Sequence, residues 1–312
     1  MLLADFSAVL LGFSLLMYIL LDGTDLGTGM LFFWFRAEEQ REQMTHTLLP
    51  VWDANETWLV LLAGGMFALF PAAFSLMMSS LALPVFVMLL CLFLRALALE
   101  YRAEAGVKLK RWLDRLMMAC SGLAAMIQGL CMNAVLSTQP DAMADILNLT
   151  GCLSGLGLIA VYLLMACCWV RWRLGETTVP LAGGWCWVWW LVSLLIFAVL
   201  LWLNMPLWEQ RWALLIGKLV ILMATVAACL QVWGLWRGHP LMLLVFTQAL
   251  VALIFLGGCI GMHPWILMNK LDIYQGAAPQ TAQVFVLIGS AIIVPLTLIY
   301  HSWSFWVMKR KS

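Results

Sequence analysis

The sequence predicts an all-α, polytopic integral membrane protein, and three observations lead to that class. The 312-residue chain is 64% hydrophobic and only 11% charged, and its mean hydropathy is +0.97, beyond the usual range of soluble domains. Long apolar runs alternate with short polar breaks, and each run is close to the roughly 20 residues that cross a bilayer as a helix. No alternating segments of about ten residues occur, so helices are favoured over a transmembrane barrel.

Nine membrane spans follow from these runs, and together they form one membrane domain over residues 1–312. In chain order we predict them at residues 3–35, 48–70, 75–99, 116–136, 152–170, 184–205, 212–236, 241–262 and 282–307. The N-terminal run has neither a basic region nor a small-residue cleavage pattern, so we expect a retained helix rather than a signal peptide.

Basic residues indicate the orientation of the chain. If the spans alternate, thirteen of the 17 Lys and Arg residues fall on the side that also holds the C-terminus. The other side holds only Arg211 and Lys270. By the positive-inside rule the basic side is cytoplasmic, which predicts an N-terminus outside the membrane and a C-terminus inside.

Four carboxylates are the strongest candidates for function. Asp22 and Asp25 lie in the stretch DGTDLGTGML, and Asp53 and Glu56 lie in PVWDANETWLV. Ionisable side chains inside membranes cost about 2.5 to 3.5 kcal/mol each at a helix centre on insertion scales, so they are functional candidates by default. Both pairs are predicted near the cytoplasmic face. Arg95 of the third span is predicted at the same depth, where it would pair with one of the acids.

Neighbouring residues support this polar group. Trp52, Asn55 and Trp58 could donate hydrogen bonds to it. Two interpretations follow from the residues: a buried ion-pair knot that holds the first three spans together, or a hydrated entrance for protons from the cytoplasm. Four acids against one arginine leave an excess of carboxylate, which favours proton handling.

Other chemistry is weakly represented in the sequence. No C-x-x-C spacing occurs among the nine Cys, and a net charge of +1 gives no basic patch for nucleic acid. The four histidines, His46, His239, His263 and His301, fall at different predicted depths and are expected to be structural. We therefore expect no metal site and no haem bound through histidine in this chain.

The same stretches carry a family resemblance. DGTDLGTGML, PVWDANETWLVLLAGGMFALFPAAF and LFLRALALEYR are similar to signature segments of subunit II of cytochrome bd-type quinol oxidases, and VPLTLIYHSWSFWVMK resembles the final helix of that family. The resemblance implies two four-helix bundles and one peripheral helix. These map to residues 1–136, 152–262 and 282–307.

The resemblance also implies a function. Subunit II pairs with a haem-bearing subunit I, which carries two b-type haems, one d-type haem and the quinol site, in the bacterial cytoplasmic (inner) membrane. The complex oxidises quinol and reduces dioxygen to water. The positions of Asp22, Asp25 and Asp53 are implied to serve the proton route or the subunit contact, and Glu56, Trp58 and Arg95 to support them.

Some alternatives stay open at this point. The resemblance does not decide whether a structural quinone or a small single-helix accessory subunit is also bound, beside the surrounding lipids. A secondary transporter that couples ions through these acids is a different class, although transporters place such charges at the midplane between two repeats, and here the acids belong to one half. A purely structural assembly subunit is the third interpretation.

Overall fold

Long apolar helices make up most of the chain. The structure, a computed structural model, describes residues 1–137, 146–180, 182–204 and 215–310. The elements in chain order are α1 (Leu2–Leu31), α2 (Glu38–Leu48), α3 (Trp52–Leu69), α4 (Pro71–Tyr101), α5 (Val107–Leu136), α6 (Leu149–Thr178), α7 (Ala182–Leu203), α8 (Leu215–Arg237), α9 (Pro240–Met262), β1 (Trp265–Leu267), β2 (Leu271–Asp272), α10 (Ile273–Gly276) and α11 (Gln280–Arg310).

The helices confirm the all-α membrane class. Within the described residues, eight helices are long and apolar enough to cross a membrane: α1, α4, α5, α6, α7, α8, α9 and α11. The remaining predicted span corresponds to α3, an 18-residue helix whose apolar sequence is interrupted by Asp53 and Glu56. Residue 205 of the sixth predicted span, residues 212–214 of the seventh and Arg211 lie outside the described residues.

The predicted boundaries on either side of the first connection were wrong, and the helices of the fourth and fifth predicted spans are longer than predicted, at Val107–Leu136 and Leu149–Thr178. The first span was predicted to reach residue 35, but α1 ends at Leu31. The second was predicted to start at residue 48, but α3 starts at Trp52, after a turn that contains Pro50, which has no N–H to continue a helix. The short polar helix α2 lies between them and was not predicted, because its sequence EEQREQMTHTL resembles a solvated connection.

Helix α1 is central to the packing, because it contacts α3, α5 and α6. Gly23 and Gly27 make the close approach to α6 possible. A Cβ atom at Gly23 would overlap the ring of Tyr162, and one at Gly27 would overlap the backbone carbonyl of Tyr162. The two glycines thus bring the acid-bearing part of α1 directly against α6.

The remaining helices pack around this centre. Helix α4 packs on α5, α5 on α6, α6 on α7, and α8 on α9, while α11 lies against α3 and α1. Helix α6 is bent at Gly175, whose φ of +77° lies in the region that glycine adopts readily. The assignment of residues 1–136 and 152–262 to two separate bundles stays a prediction.

A small β-ribbon lies on the side of the molecule opposite to the C-terminal end of α1. Strands β1 and β2 pair antiparallel, and the one-turn helix α10 follows them. Asp272 caps α10 by accepting hydrogen bonds from the backbone N–H groups of Tyr274 and Gln275. The N–H of Ala278 donates to the carbonyl of Leu69 at 2.8 Å, so the ribbon is fixed to the last residue of α3.

Candidate functional site

Two of the predicted acids are fully enclosed by the protein. Asp22 and Asp25 lie on α1 and are 0% and 3% exposed. They lie in the stretch from Asp22 to Leu31, all of which is buried. The close approach of α6 at Gly23 and Gly27 removes water from this part of α1. Carboxylates in such surroundings need partners, because an isolated buried charge is strongly disfavoured.

Arg95 of α4 supplies the charge partner. Its Nη2 atom lies 2.9 Å from Oδ1 of Asp22 and 2.9 Å from Oε1 of Glu56. Arg95 is 2% exposed, whereas Glu56 is 28% exposed. One guanidinium therefore joins α1, α3 and α4. The second oxygen of Asp22, Oδ2, receives no hydrogen bond from any described residue, and so it can accept one from a water molecule or carry a proton.

Asp25 has a different set of partners. The Nδ2 atom of Asn55 on α3 donates to Oδ2 of Asp25 at 2.8 Å. The Oδ1 atom of the same Asn55 lies 3.0 Å from Nε2 of His301 on α11. Residues from the first and the last membrane helix are thus linked through one amide, and His301, which was expected to be structural, belongs to the site.

A small cavity adjoins Asp25. Its volume is about 20 Å³, which is enough for one water molecule, and Thr24, Asp25, Asn55 and Gln248 provide polar groups around it. Leu20, Leu21, Val51 and Trp169 complete its wall. Asp25 can therefore exchange a proton with a water molecule without any movement of the helices.

The other predicted site residues take different positions. Asp53 is exposed at the first turn of α3 and makes no contact with Arg95, although it is only three residues from Glu56. Trp52 is half-buried against the main core. Trp58 is 1% exposed and its ring lies edge-on to Phe13. The structure thus brings Asp22, Glu56 and Arg95 together, links Asp25 to Asn55, and leaves Asp53 at the surface.

A chain of hydrogen bonds lies one helical turn before Asp22. Gln128 on α5 donates from Nε2 to the hydroxyl of Tyr18 at 2.7 Å, and its Oε1 accepts from the hydroxyl of Tyr162 on α6 at 2.8 Å. Both tyrosines are buried. These partners are not evident from the sequence, because tyrosines in apolar helices usually pack as core residues.

A second ionic cluster holds the end of α1. Arg41 donates to the carbonyls of Phe32 and Phe35 at 2.7 and 2.8 Å and forms an ion pair with Asp114 of α5 at 2.8 Å. Arg102, the residue directly after α4, reaches the other oxygen of Asp114 at 2.7 Å. Cations near the C-terminus of a helix satisfy its free carbonyls and its dipole. This cluster belongs to the side with the excess of basic residues.

Glu38 links α2 to this cluster. Its Oε1 atom lies 2.8 Å from Nζ of Lys110 and 2.9 Å from Nη2 of Arg102. Partial burial alone would raise the pKa of Glu38, but the hydrogen bond from Lys110 and the charge of Arg102 outweigh it and lower the pKa below its ordinary value. The carboxylate therefore stays ionised and attaches α2 to α4 and α5.

The histidines of this chain do not fit a haem. His46, His239 and His263 are exposed, and both ring nitrogens of the buried His301 already have oxygen partners. Within the described residues no three His, Cys, Asp or Glu side chains are grouped so that they could hold a metal ion.

Comparison with known proteins adds a family. The family model described as "Cytochrome bd terminal oxidase subunit II" matches residues 3–308. "Cytochrome bd ubiquinol oxidase subunit 2" of Bacillus subtilis (strain 168) is 39% identical over 88 residues, 28% of this chain and 26% of that protein. "Cytochrome bd-I ubiquinol oxidase subunit 2" of Escherichia coli (strain K12) is 31% identical over 105 residues, 33% of this chain and 27% of that protein.

A solved structure shares the fold along the whole chain. It is described as "The structure of bd oxidase from Geobacillus thermodenitrificans", with a TM-score of 0.83 and 15% sequence identity. The match covers 99% of this chain and 98% of the other. The sequence alignments, in contrast, span about a quarter of the length of the curated relatives. The fold similarity therefore covers much more of the chain than these pairwise alignments do.

Proposed function

Since the chain belongs to the family of cytochrome bd terminal oxidase subunit II, we propose that it is the non-haem subunit of a membrane complex that oxidises quinol and reduces dioxygen to water. The partner is a subunit I that carries two b-type haems and one d-type haem, and these haems supply the redox chemistry. The names of the relatives and the shared fold of a bd oxidase support this proposal.

The role of this chain is to hold the helices together and to admit protons from the cytoplasm. One observation carries this role: two carboxylates, Asp22 and Glu56, share one guanidinium, and a third, Asp25, contacts Asn55 beside a cavity for one water molecule. An ion-pair knot needs no excess of acid, whereas a proton relay needs carboxylates that can be protonated and released.

The positions of the acids suggest an order along the path. Asp53 is exposed and meets water first, and Glu56 lies one helical turn further along α3, half-buried beside Arg95. Asp22 and Asp25 lie deepest. Arg95 keeps Asp22 and Glu56 close together. A proton bound by one acid therefore changes the affinity of its neighbours for a proton, so the acids bind protons as a coupled group.

The test of the complex is purification from its native membrane. We expect this chain to copurify with a larger helical partner and with the absorption band of a chlorin-type haem. A chain that purifies alone and colourless would overturn the oxidase assignment.

The test of proton entry is a pair of substitutions in that complex. Asp25→Asn keeps the size of the side chain and its ability to form hydrogen bonds, but the amide cannot bind and release a proton. We therefore expect oxygen consumption to fall at least about 10-fold with unchanged haem content. For Asp53→Asn we expect a smaller loss, because water can replace an exposed group. Joint loss of haem and of the partner would support the purely structural interpretation instead.

The transporter interpretation is less well supported. Residues 149–262, which form α6 to α9, contain only two acids, Glu176 and Glu209, so no second set of carboxylates corresponds to the first. We place the complex in the bacterial cytoplasmic (inner) membrane with the N-terminus outside and the C-terminus in the cytoplasm, on the evidence of the basic residues.

A further inference from the structure

His301 is the histidine that the site contains without an assigned role. It lies on α11, is 4% exposed, and directs its ring between α11 and α3. Its Nδ1 atom lies 2.8 Å from the carbonyl oxygen of Thr297, and its Nε2 atom lies 3.0 Å from Oδ1 of Asn55. Both ring nitrogens therefore face an oxygen that can only accept a hydrogen bond.

This geometry determines how many protons the ring carries. A neutral imidazole has one N–H group, so it can satisfy only one of these two acceptors, whereas an imidazolium satisfies both. The orientation of Asn55 follows from its other neighbour. Asn55 directs its NH₂ group to Oδ2 of Asp25 and its carbonyl to His301, which is the orientation that an ionised Asp25, able only to accept, requires.

A second arrangement has the same number of protons. If the amide of Asn55 rotates by half a turn, its NH₂ group donates to Nε2 of a neutral His301, and its carbonyl accepts from a protonated Asp25. In this change the N–H bond at Nε2 of His301 is broken, an O–H bond at Asp25 is formed, and the net charge is unchanged. No oxidant or other reactant is needed.

The surrounding charges favour the first arrangement. Without a charge on His301, Asp22 and Glu56 share one guanidinium and Asp25 has only the amide of Asn55, and an imidazolium reduces this excess of acid. Helices α3 and α1 pack against α11, and α4 reaches the cluster through its arginine. The titratable groups of the cluster on these elements are Tyr18, Asp22 and Asp25 of α1, Asp53 and Glu56 of α3 and Arg95 of α4, and on α11 the ring of Tyr300 lies 6.1 Å from that of His301.

We propose that His301 is the second cation of this cluster and shares one proton with Asp25 through Asn55, which makes it a positioning residue for the proton path. The proposal rests on the proposed function of the path, but it concerns the protonation of this chain alone. It assigns to α11 a part in proton handling as well as in packing.

The test compares His301→Gln with His301→Lys in the purified complex. Infrared spectra at neutral pH report the C=O stretch of protonated carboxyl groups. Glutamine can still donate to Asn55 but carries no charge, so we expect His301→Gln to gain such a band relative to the wild type. The double variant His301→Gln/Asp25→Asn should lose it, and His301→Lys, which keeps a cation, should not gain it. His239→Gln, at an exposed histidine, is the matched control.

A spectrum of His301→Gln identical to that of the wild type would overturn the proposal. If His301→Gln does not assemble, the protonation of His301 is measured instead from the infrared spectra of complexes that contain isotope-labelled histidine. The signal present in the wild type and absent from His301→Lys must be that of an imidazolium, and a neutral imidazole signal would overturn the proposal. Neither readout depends on turnover. A complex without oxidase activity would contradict the proposed function, whereas a failed infrared test with an inactive Asp25→Asn would contradict only the role of His301.

Discussion

Arg95 is the residue on which the charge balance of the site depends. It is buried, and its Nη2 atom contacts carboxylates of two other helices at 2.9 Å. A buried ion pair adds little stability over an apolar substitute, but removal of one partner leaves the other charge uncompensated. The ion-pair interpretation and the proton-entry interpretation therefore predict the same loss of stability when Arg95 is replaced. They predict different results only when the acids are replaced.

We expect Arg95→Gln to destabilise the chain by about 3 to 5 kcal/mol, because Asp22 would be left buried without a cation. The measurement is the thermal unfolding midpoint of the purified complex. Arg36→Gln is the control, since Arg36 is exposed. An equal midpoint for Arg95→Gln and the wild type would show that Asp22 is not ionised when Arg95 is absent.

Helices α1 and α6 approach closely where they cross at Gly23 and Gly27. The separation of these helices is set by glycine, because a Cβ atom at Gly27 would overlap a backbone carbonyl that cannot move aside as a side chain could. The glycines of DGTDLGTGML are thus explained by packing, and the acids of the same stretch by chemistry.

We expect Gly27→Ala to destabilise the complex by about 1 to 3 kcal/mol, because overpacking forces α1 away from α6. Gly12→Ala is the matched control, since Gly12 lies on the same helix with open space around it and alanine favours a helix. Thermal unfolding of both variants measures the difference. Equal midpoints would contradict the close approach.

Helix α2 depends on an ionised Glu38. Because the pKa of Glu38 is lowered from its ordinary value of 4.5, its contribution to stability is complete above that value and is lost as the pH falls through the lowered pKa. We expect the unfolding midpoint of the wild type to exceed that of Glu38→Gln at neutral pH, and the two to converge in acid. Glu39→Gln, at an exposed position, should follow the wild type throughout.

At the scale of the whole molecule, the basic residues define one face. We expect a green fluorescent protein fused to the C-terminus to be fluorescent, because it would fold in the cytoplasm. The same reporter inserted after Lys270, in the segment with the β-ribbon, should stay dark. The reverse pattern would contradict the orientation.

Hydropathy predicts most of this architecture, whereas the sequence predicts only part of the candidate site. Long apolar runs predict the membrane helices. Because an unpaired charge in the membrane is unfavourable, an acid beside Arg95 could also be predicted. Asp53 and Glu56 were predicted at a similar membrane depth, but residues three apart are displaced by about 60° around a helix, so one can contact Arg95 while the other is exposed. His301 was missed because its partner Asn55 is 246 residues away, and no local pattern reports such a contact.

The cluster around Arg95 also has a consequence for biosynthesis. Asp22 is made 73 residues before Arg95, which at about 5 to 20 residues per second leaves it without its cation for several seconds. His301 follows only with the last helix. A nascent chain therefore holds Asp22 without its cation until α4 has been made, and the contact of Asn55 with His301 forms only when translation is nearly complete.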